Sequence, residues 1–312
     1  MNQKRKDMKT DVFSGEYPEA WETLRNTLTD HVVQEISPLS KGTTNTSFLV
    51  KTQDKNYVLR VPGKTVGSYL DRKHEKEIYA LLSQYEISDR VLYLDEESGY
   101  KLSEYCEGSR HMNPASESDM RLFLETAKKL HAMKLHCEAE YDFFEQIEKY
   151  ESRSKTPFWF ENYMAVREAI FSLRRFYDTV KKNYVLIHND LSPENCLFVS
   201  DGSGGEKCIL IDFEYAAMQM PVADIASYCV FSNLSEEETN HIIRLYYGNE
   251  IETIDWAYAY AYIALNALLH SNWLGVLSND EKRKEEALCA LHMAEHYLAK
   301  MQEIWEESAC QE

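Results

Sequence analysis

Two short apolar runs, CLFV at 196–199 and KCILI at 207–211, are joined by DGSGGE, a turn rich in Gly and Asp. This pattern predicts a β-hairpin, which carries the residue before its first strand and the residue after its second to the same end. Those residues are Asn195 and Asp212. Just upstream, VLIHNDLSPEN at 185–195 runs from an apolar segment into a polar loop that holds His188 and Asp190. The chain must therefore fold so that two carboxylates and an amide gather around one hairpin and the loop that enters it.

An Asp next to an Asn in a polar loop is, alone, a turn or a helix cap. The full HxDxxxxN loop, set between apolar segments and followed by a hairpin and an apolar triplet ending in IDFE, is far more specific. Its spacing suits phosphoryl transfer, which needs a carboxylate to receive the acceptor's hydroxyl proton and oxygen ligands for the metal ions on the nucleotide phosphates. Asp190 is the candidate for the first role. Asn195 and Asp212 offer the hard oxygen ligands that Mg²⁺ requires.

HNDLSPEN at 188–195 and IDFEYAAMQMPVADIASY at 211–228 resemble the choline and ethanolamine kinases, in particular the bacterial choline kinases of the LicA type. These belong to a larger group that includes the aminoglycoside phosphotransferases, and the resemblance runs from about residue 37 to residue 277. It implies an α+β, two-lobed protein-kinase-like fold, with a small β-rich N-lobe over 1–105 and a larger helical C-lobe over 106–312. Glu214 and Tyr215 match what choline and ethanolamine kinases carry after the metal-binding Asp, where aminoglycoside enzymes typically differ. The same resemblance gives His188 the task of orienting the catalytic loop and Asp224 that of bracing it from a following helix. ATP and Mg²⁺ are the implied cofactors.

The amino-terminal half carries the remaining kinase parts in order. ISPLSKGTTNTSFLVKT at 36–52 places Gly42, Thr43, Thr44, Asn45 and Thr46 between two strand-like segments, as donors to phosphate oxygens. With a single glycine the segment also reads as a plain hairpin turn. YVLRVPG puts Arg60 on an apolar strand, where protein kinases have lysine and the choline kinases have Arg. DRKHEKEIYALLSQYE follows as an amphipathic helix with Ile78, Leu81, Leu82 and Tyr85 at helical spacing. Glu75 matches the family's helix carboxylate through ExxxYAxL, with Glu77 as its rival. VLYLDEESGYKLSEYCEGSRH then reads as two strands around an ESG turn and a connector that resembles the hinge between kinase lobes, with backbone groups near Glu104, Tyr105 and Cys106 facing the adenine.

Further helices are expected near 18–29, 71–85, 116–136, 158–182, 222–247, 255–277 and 280–306. The stretch 256–277 has the length of a membrane span but contains Asn266, His270, Ser271 and Asn272, so a buried helix is expected, despite the strand-like alternation AYAYAY. Tyr258, Tyr262, Asn266, His270 and Trp273 fall along one of its faces. Aromatic faces and a carboxylate are how proteins hold quaternary ammonium groups, which makes Glu214, Tyr215 and Trp273 the candidate choline pocket. Trp273 matches the first of the two tryptophans of the family's WxxW pattern; the second position is Val276.

Seven cysteines without paired or metal-type spacing read as reduced core thiols, and the basic start MNQKRKDMKTDVFSGE lacks the apolar core of a signal peptide, so a cytoplasmic protein is expected. A net charge of -18 leaves no basic stripe for nucleic acid. The expected reaction is ATP-dependent phosphorylation of choline. Ethanolamine or an aminoglycoside is the rival acceptor, and a catalytically silent nucleotide-binding module is the rival outside the enzymes, one that would be expected to have lost Asp190, Asn195 or Asp212.

Overall fold

The computed structural model describes residues 10–41, 45–63, 70–154, 160–180, 183–277 and 280–309. Its chain forms two compact units, one of Met1–His111 with Leu197–Tyr215 and one of Met112–Cys196 with Ala216–Glu312. In chain order the elements begin with helices α1 (Thr10–Glu16) and α2 (Pro18–Thr27) and strands β1 (Glu35–Lys41), β2 (Asn45–Lys51) and β3 (Asn56–Pro62). They continue with α3 (Arg72–Leu82), β4 (Val91–Leu94), β5 (Lys101–Glu104), β6 (Arg110–His111), α4 (Glu117–Ala132), α5 (Phe143–Arg153), α6 (Tyr163–Ser172) and α7 (Arg174–Val180). After them come β7 (Val185–Ile187), β8 (Cys196–Ser200), β9 (Glu206–Leu210), β10 (Ala217–Gln219), α8 (Val222–Phe231), α9 (Glu236–Tyr247), α10 (Thr253–Leu277) and α11 (Glu281–Ala309).

The first unit is built on an antiparallel sheet in the order β1-β2-β3-β5-β4, with α1 and α2 supplying apolar side chains to its core. Phe13, Leu24, Ile36, Phe48, Val50, Leu59 and Leu102 are buried together, and Phe13 meets Phe48 edge-on at 5.0 Å. The predicted hairpin is present: β8 and β9 are neighbours in a second sheet, β6-β8-β9. Asp201 accepts from the N–H groups of Ser203 and Gly205 at 2.8 and 3.0 Å and so closes the DGSGGE turn.

The second unit is mainly helical. Its longest buried element is α10, where alanines at 257, 259, 261, 264 and 267 are buried beside Tyr262, small enough to let neighbouring helices approach closely. The alternation AYAYAY is thus helical, and among the described residues no helix is long and apolar enough to cross a membrane. Two expected helices are each divided. The span 222–247 breaks between α8 and α9, where Asn233 has φ 48° and Ser235 opens α9 with a capping box to Glu238. The span 158–182 yields α6 and α7, separated at Leu173, and its residues 158–159 and 181–182 lie outside the described ones. Of the cysteines expected in the core, Cys137, Cys196, Cys208 and Cys229 are buried, but Cys106 is half-buried and Cys289 is exposed; these six are reduced.

Candidate active site

Within the first unit, the ladder sets Arg60 of β3 opposite Lys101 of β5, so both cations rise from one face of the sheet. Helix α3 meets them with Arg72, Glu75 and Tyr79, spaced three and four residues apart and hence on one helical face. The Arg60 guanidinium donates to Glu75 at 2.8 Å, to Glu214 at 3.3 Å, and to Asp212. Arg72 bridges Glu75 and Glu214 at 2.7 and 2.9 Å, and Asn45 donates to Glu214 at 3.4 Å. Glu75, not Glu77, is therefore the helix carboxylate that meets Arg60; Glu77 is exposed and lies 4.0 Å from Lys73.

The electrostatics follow from this packing. Burial opposes the charge on Arg60, but Asp212, Glu75 and Glu214 outweigh it and hold the guanidinium well above its ordinary pKa. Burial likewise pushes Glu75 up, and the charges of Arg60 and Lys101 more than reverse this, leaving it below the usual carboxylate range. Glu214 goes the other way: burial and the charge of Asp212 push it up to about 7, only partly offset by Arg60 and Arg72.

Asp212 lies in the left-handed region with φ 69°, a conformation Asp tolerates better than most residues yet which still costs about 1–3 kcal/mol. Oxygens of Glu75, Asp212 and Glu214 lie within 4.8 Å of one another. Glu75 and Glu214 are sealed in by the arginines, whereas the Asp212 side chain is 26% exposed and is the carboxylate of the three that a cation can reach. A cavity of about 300 Å³ is lined by Arg60, Lys101 and Asp212 together with Glu104, Tyr105 and Cys106, the segment expected to be the hinge. Of the expected phosphate loop, Asn45 and Thr46 lie on β2, while Gly42, Thr43 and Thr44 lie outside the described residues.

In the second unit the loop after β7 is held through its backbone. The N–H groups of His188 and Asn189 donate to the two oxygens of Asp224 at 3.0 and 2.6 Å, and that of Leu191 donates to the Ser227 hydroxyl at 3.3 Å. Asp224 is fully buried on α8 and is also bonded to His131 Nε2 at 2.9 Å; His131 Nδ1 in turn meets the Tyr246 hydroxyl at 2.8 Å. His188 Nδ1 accepts from the Asp190 N–H at 3.3 Å. Asn189 takes φ 64°, and the chain then turns to bring the Asn195 amide nitrogen onto the Asp190 carbonyl and carboxylate at 2.8 and 3.0 Å. Asn195 thus turns its amide nitrogen, not its oxygen, to Asp190. Asn195 and Asp212, each expected from the sequence to ligate Mg²⁺, each carry a side-chain oxygen, the donor type that ion selects.

The structure gathers Arg60, Glu75, Asp212 and Glu214 in one cluster and sets His188, Asp190 and Asn195 on a loop braced by Asp224. Glu214, expected among the acceptor contacts, has its carboxylate turned to Arg60, Arg72 and Asn45. Tyr215 is half-buried, and Trp273 on α10 packs on Tyr150 of α5 with ring centroids 5.2 Å apart. Arg72, Tyr79, Lys101, His131 and Ser227 escaped the sequence reading. Arg72 and Tyr79 carried a usable signal, since both share the helical face of Glu75; Lys101 and His131 depend on strand pairing and helix contacts with no local signature.

The profile of the choline/ethanolamine kinase family matches residues 36–237, more than half of the chain. The chain belongs to the choline/ethanolamine kinase family. Within this family it is 26% identical over 213 residues to protein LicA of Haemophilus influenzae, an alignment covering 66% of this chain and 60% of that protein. The chain thus spans less than two thirds of that relative's length. It is 27% identical over 218 residues to the ethanolamine kinase of Saccharomyces cerevisiae, covering 55% of this chain and 40% of that one. The crystal structure of choline kinase LicA from Streptococcus pneumoniae shares the fold, with a TM-score of 0.76 and 23% identity over 92% of this chain and 100% of that chain. A choline/ethanolamine kinase family member is thereby established, with an α+β kinase-like fold.

Proposed function

We propose that this choline/ethanolamine kinase family member transfers the terminal phosphoryl group of ATP to the hydroxyl of a small amino alcohol, choline in the first place. The observation that carries the reading is the Asp190–Asn195 pair on a loop whose backbone is fixed by Asp224. The Asp190 carboxylate takes the hydroxyl proton as the acceptor oxygen bonds to the γ-phosphorus and the bond from phosphorus to the ADP oxygen breaks. Asn195 and Asp212 are the residues assigned to Mg²⁺, which when bound neutralises charge on the phosphate oxygens. Arg60, steadied by Glu75, is assigned to the phosphates, and the Glu104–Cys106 segment to the base.

For the acceptor, the support is a cavity of about 60 Å³ in the second unit, lined by Tyr141, Phe143, Tyr177 and Tyr184 with the carboxylates Glu140, Asp142 and Asp178. Aromatic faces with carboxylates suit an organic cation. Tyr141 is half-buried there, and desolvation, then the charges of Tyr150 and Asp190, push its hydroxyl well above the ordinary phenol range, so it stays neutral beside the catalytic loop. Tyr215 and Trp273 remain assigned to the acceptor by resemblance. The small volume favours ethanolamine as a second reading, in keeping with the yeast relative's name.

The test is coupled ADP production with Mg-ATP across choline, ethanolamine and an aminoglycoside panel. Choline should give the highest kcat/KM, and Asp190→Ala should lower kcat by about 10²–10⁴-fold. Preference for ethanolamine keeps the chemistry and replaces the acceptor; silence on every acceptor in the wild type overturns the reading.

A further inference from the structure

The Tyr79 hydroxyl has no place in the phosphoryl-transfer scheme above, yet three nitrogens converge on it. Lys101 Nζ donates to Tyr79 Oη at 2.7 Å, and the backbone N–H groups of Asp212 and Phe213 point to the same oxygen at 3.2 and 3.5 Å. Lys101 also lies over the Tyr79 ring, 4.6 Å from its centroid, and within 3.9 Å of the Asp212 carboxylate. The ring itself meets Phe213 edge-on at 5.8 Å. Tyr79 and Lys101 are buried, 6% and 5% exposed, so water does not compete for these bonds.

The geometry matters because of the backbone at Asp212. A left-handed residue turns its own N–H and the next one toward the same side, making a shallow concavity that a single oxygen can fill. Left-handed non-glycine backbone persists where surrounding structure over-determines it. Here the filling oxygen comes from α3, the helix that also delivers Glu75 to Arg60.

We propose that Tyr79, fixed by Lys101, is a positioning residue for the metal site: its hydroxyl oxygen holds the Asp212–Phe213 backbone in the left-handed turn that aims the Asp212 carboxylate at Mg²⁺. The inference rests on the assignment of Asp212 to Mg²⁺ under the proposed function. Groups that orient a metal ligand without touching the ion alter affinity by about 10–100-fold.

The test is Tyr79→Phe, which keeps the ring and its contact with Phe213, beside Tyr93→Phe on β4, which loses one hydroxyl bond to Asp95. Mn²⁺ binding to the enzyme–ADP complex is titrated by electron paramagnetic resonance, and amide exchange is followed over 210–215. Tyr79→Phe should weaken Mn²⁺ binding about ten-fold, speed exchange at Asp212 and Phe213, and raise the Mg²⁺ needed for half-maximal rate, with the acceptor KM unchanged. Tyr93→Phe should match the wild type in all of these. Unchanged Mn²⁺ affinity, unchanged exchange, or a Tyr79→Phe protein that no longer folds would each overturn the inference, the last by assigning the hydroxyl to folding alone. A wild type that binds Mn²⁺ yet phosphorylates no amine would sink the proposed acceptor chemistry and leave the Mn²⁺ and exchange arms to decide on Tyr79.

Discussion

In the first unit Asp212 is gripped by side chains of opposite charge, Arg60 above all, whereas in the second the loop that carries Asp190 is gripped through backbone N–H groups that converge on Asp224. The two devices differ in what they allow. A guanidinium shared among Asp212, Glu75 and Glu214 can give up one carboxylate to an arriving phosphate and remain paired with the others. Two buried amides of the loop share the one Asp224 carboxylate, so losing it disturbs both at once. Under the proposed function, the first arrangement suits contact with a phosphate that comes and goes, and the second suits a proton acceptor that must stay fixed.

Removing the fixed device should have the largest effect. Asp224→Ala leaves two loop amides and His131 without their common partner in a fully buried place, at a cost of about 3–5 kcal/mol in unfolding free energy. Misplacing Asp190 by even an ångström should lower kcat by about 10²-fold. Calorimetry and ADP production read the two effects, and nucleotide affinity should change far less than kcat. An affinity loss as large as the kcat loss would erase the distinction between the two devices.

The exchangeable device should betray itself through pH. Glu214 titrates at about 7 in the folded protein against an ordinary 4.5, so the native state keeps a proton that the unfolded chain has already lost between those values. Stability on this account is fully present below about pH 4.5 and is lost as pH rises to 7, by at most about 3 kcal/mol. Glu214→Gln copies the neutral form and should flatten that slope. Thermal unfolding from pH 4.5 to 8 gives the difference, while exchange protection of the 188–191 amides should not follow it. A variant whose slope matches the wild type would mean that the arginines keep Glu214 ionised throughout.

Much of this was legible in the sequence, and the limits have physical causes. The hairpin, the Arg60 strand and the α3 helix have strong local patterns, and the motif residues stand where those elements place them. The split between α8 and α9 was also written locally, in the Ser235–Glu238 capping box, but a continuous run of helix formers masked it. The direction of Glu214 was not legible, because its partner Arg72 lies 142 positions away and nothing in IDFEY tells a buried ion pair from a substrate contact. Lys101 was hidden for a similar reason: a lysine on a strand reads as a solvated charge until pairing with β3 sets it beside Arg60.

The smallest expected effect tests one side chain of the fixed device. Ser227 on α8 accepts the Leu191 N–H at 3.3 Å and donates to the Asp224 carbonyl at 2.9 Å, one turn back on its own helix. Ser227→Ala removes this long bond to a buried amide, worth about 1 kcal/mol, along with the hydroxyl's own bond to the helix carbonyl, and leaves both bonds from the loop amides to the Asp224 carboxylate in place. The melting temperature should fall by about 2–4 °C, and kcat should drop by less than about ten-fold, since about 1 kcal/mol is less than a factor of ten. Differential scanning calorimetry with the same ADP assay makes the comparison with Asp224→Ala direct. If Ser227→Ala proved as damaging as Asp224→Ala, the loop would depend on the whole face of α8, and the Asp224 carboxylate would lose its place as the anchor that sets Asp190.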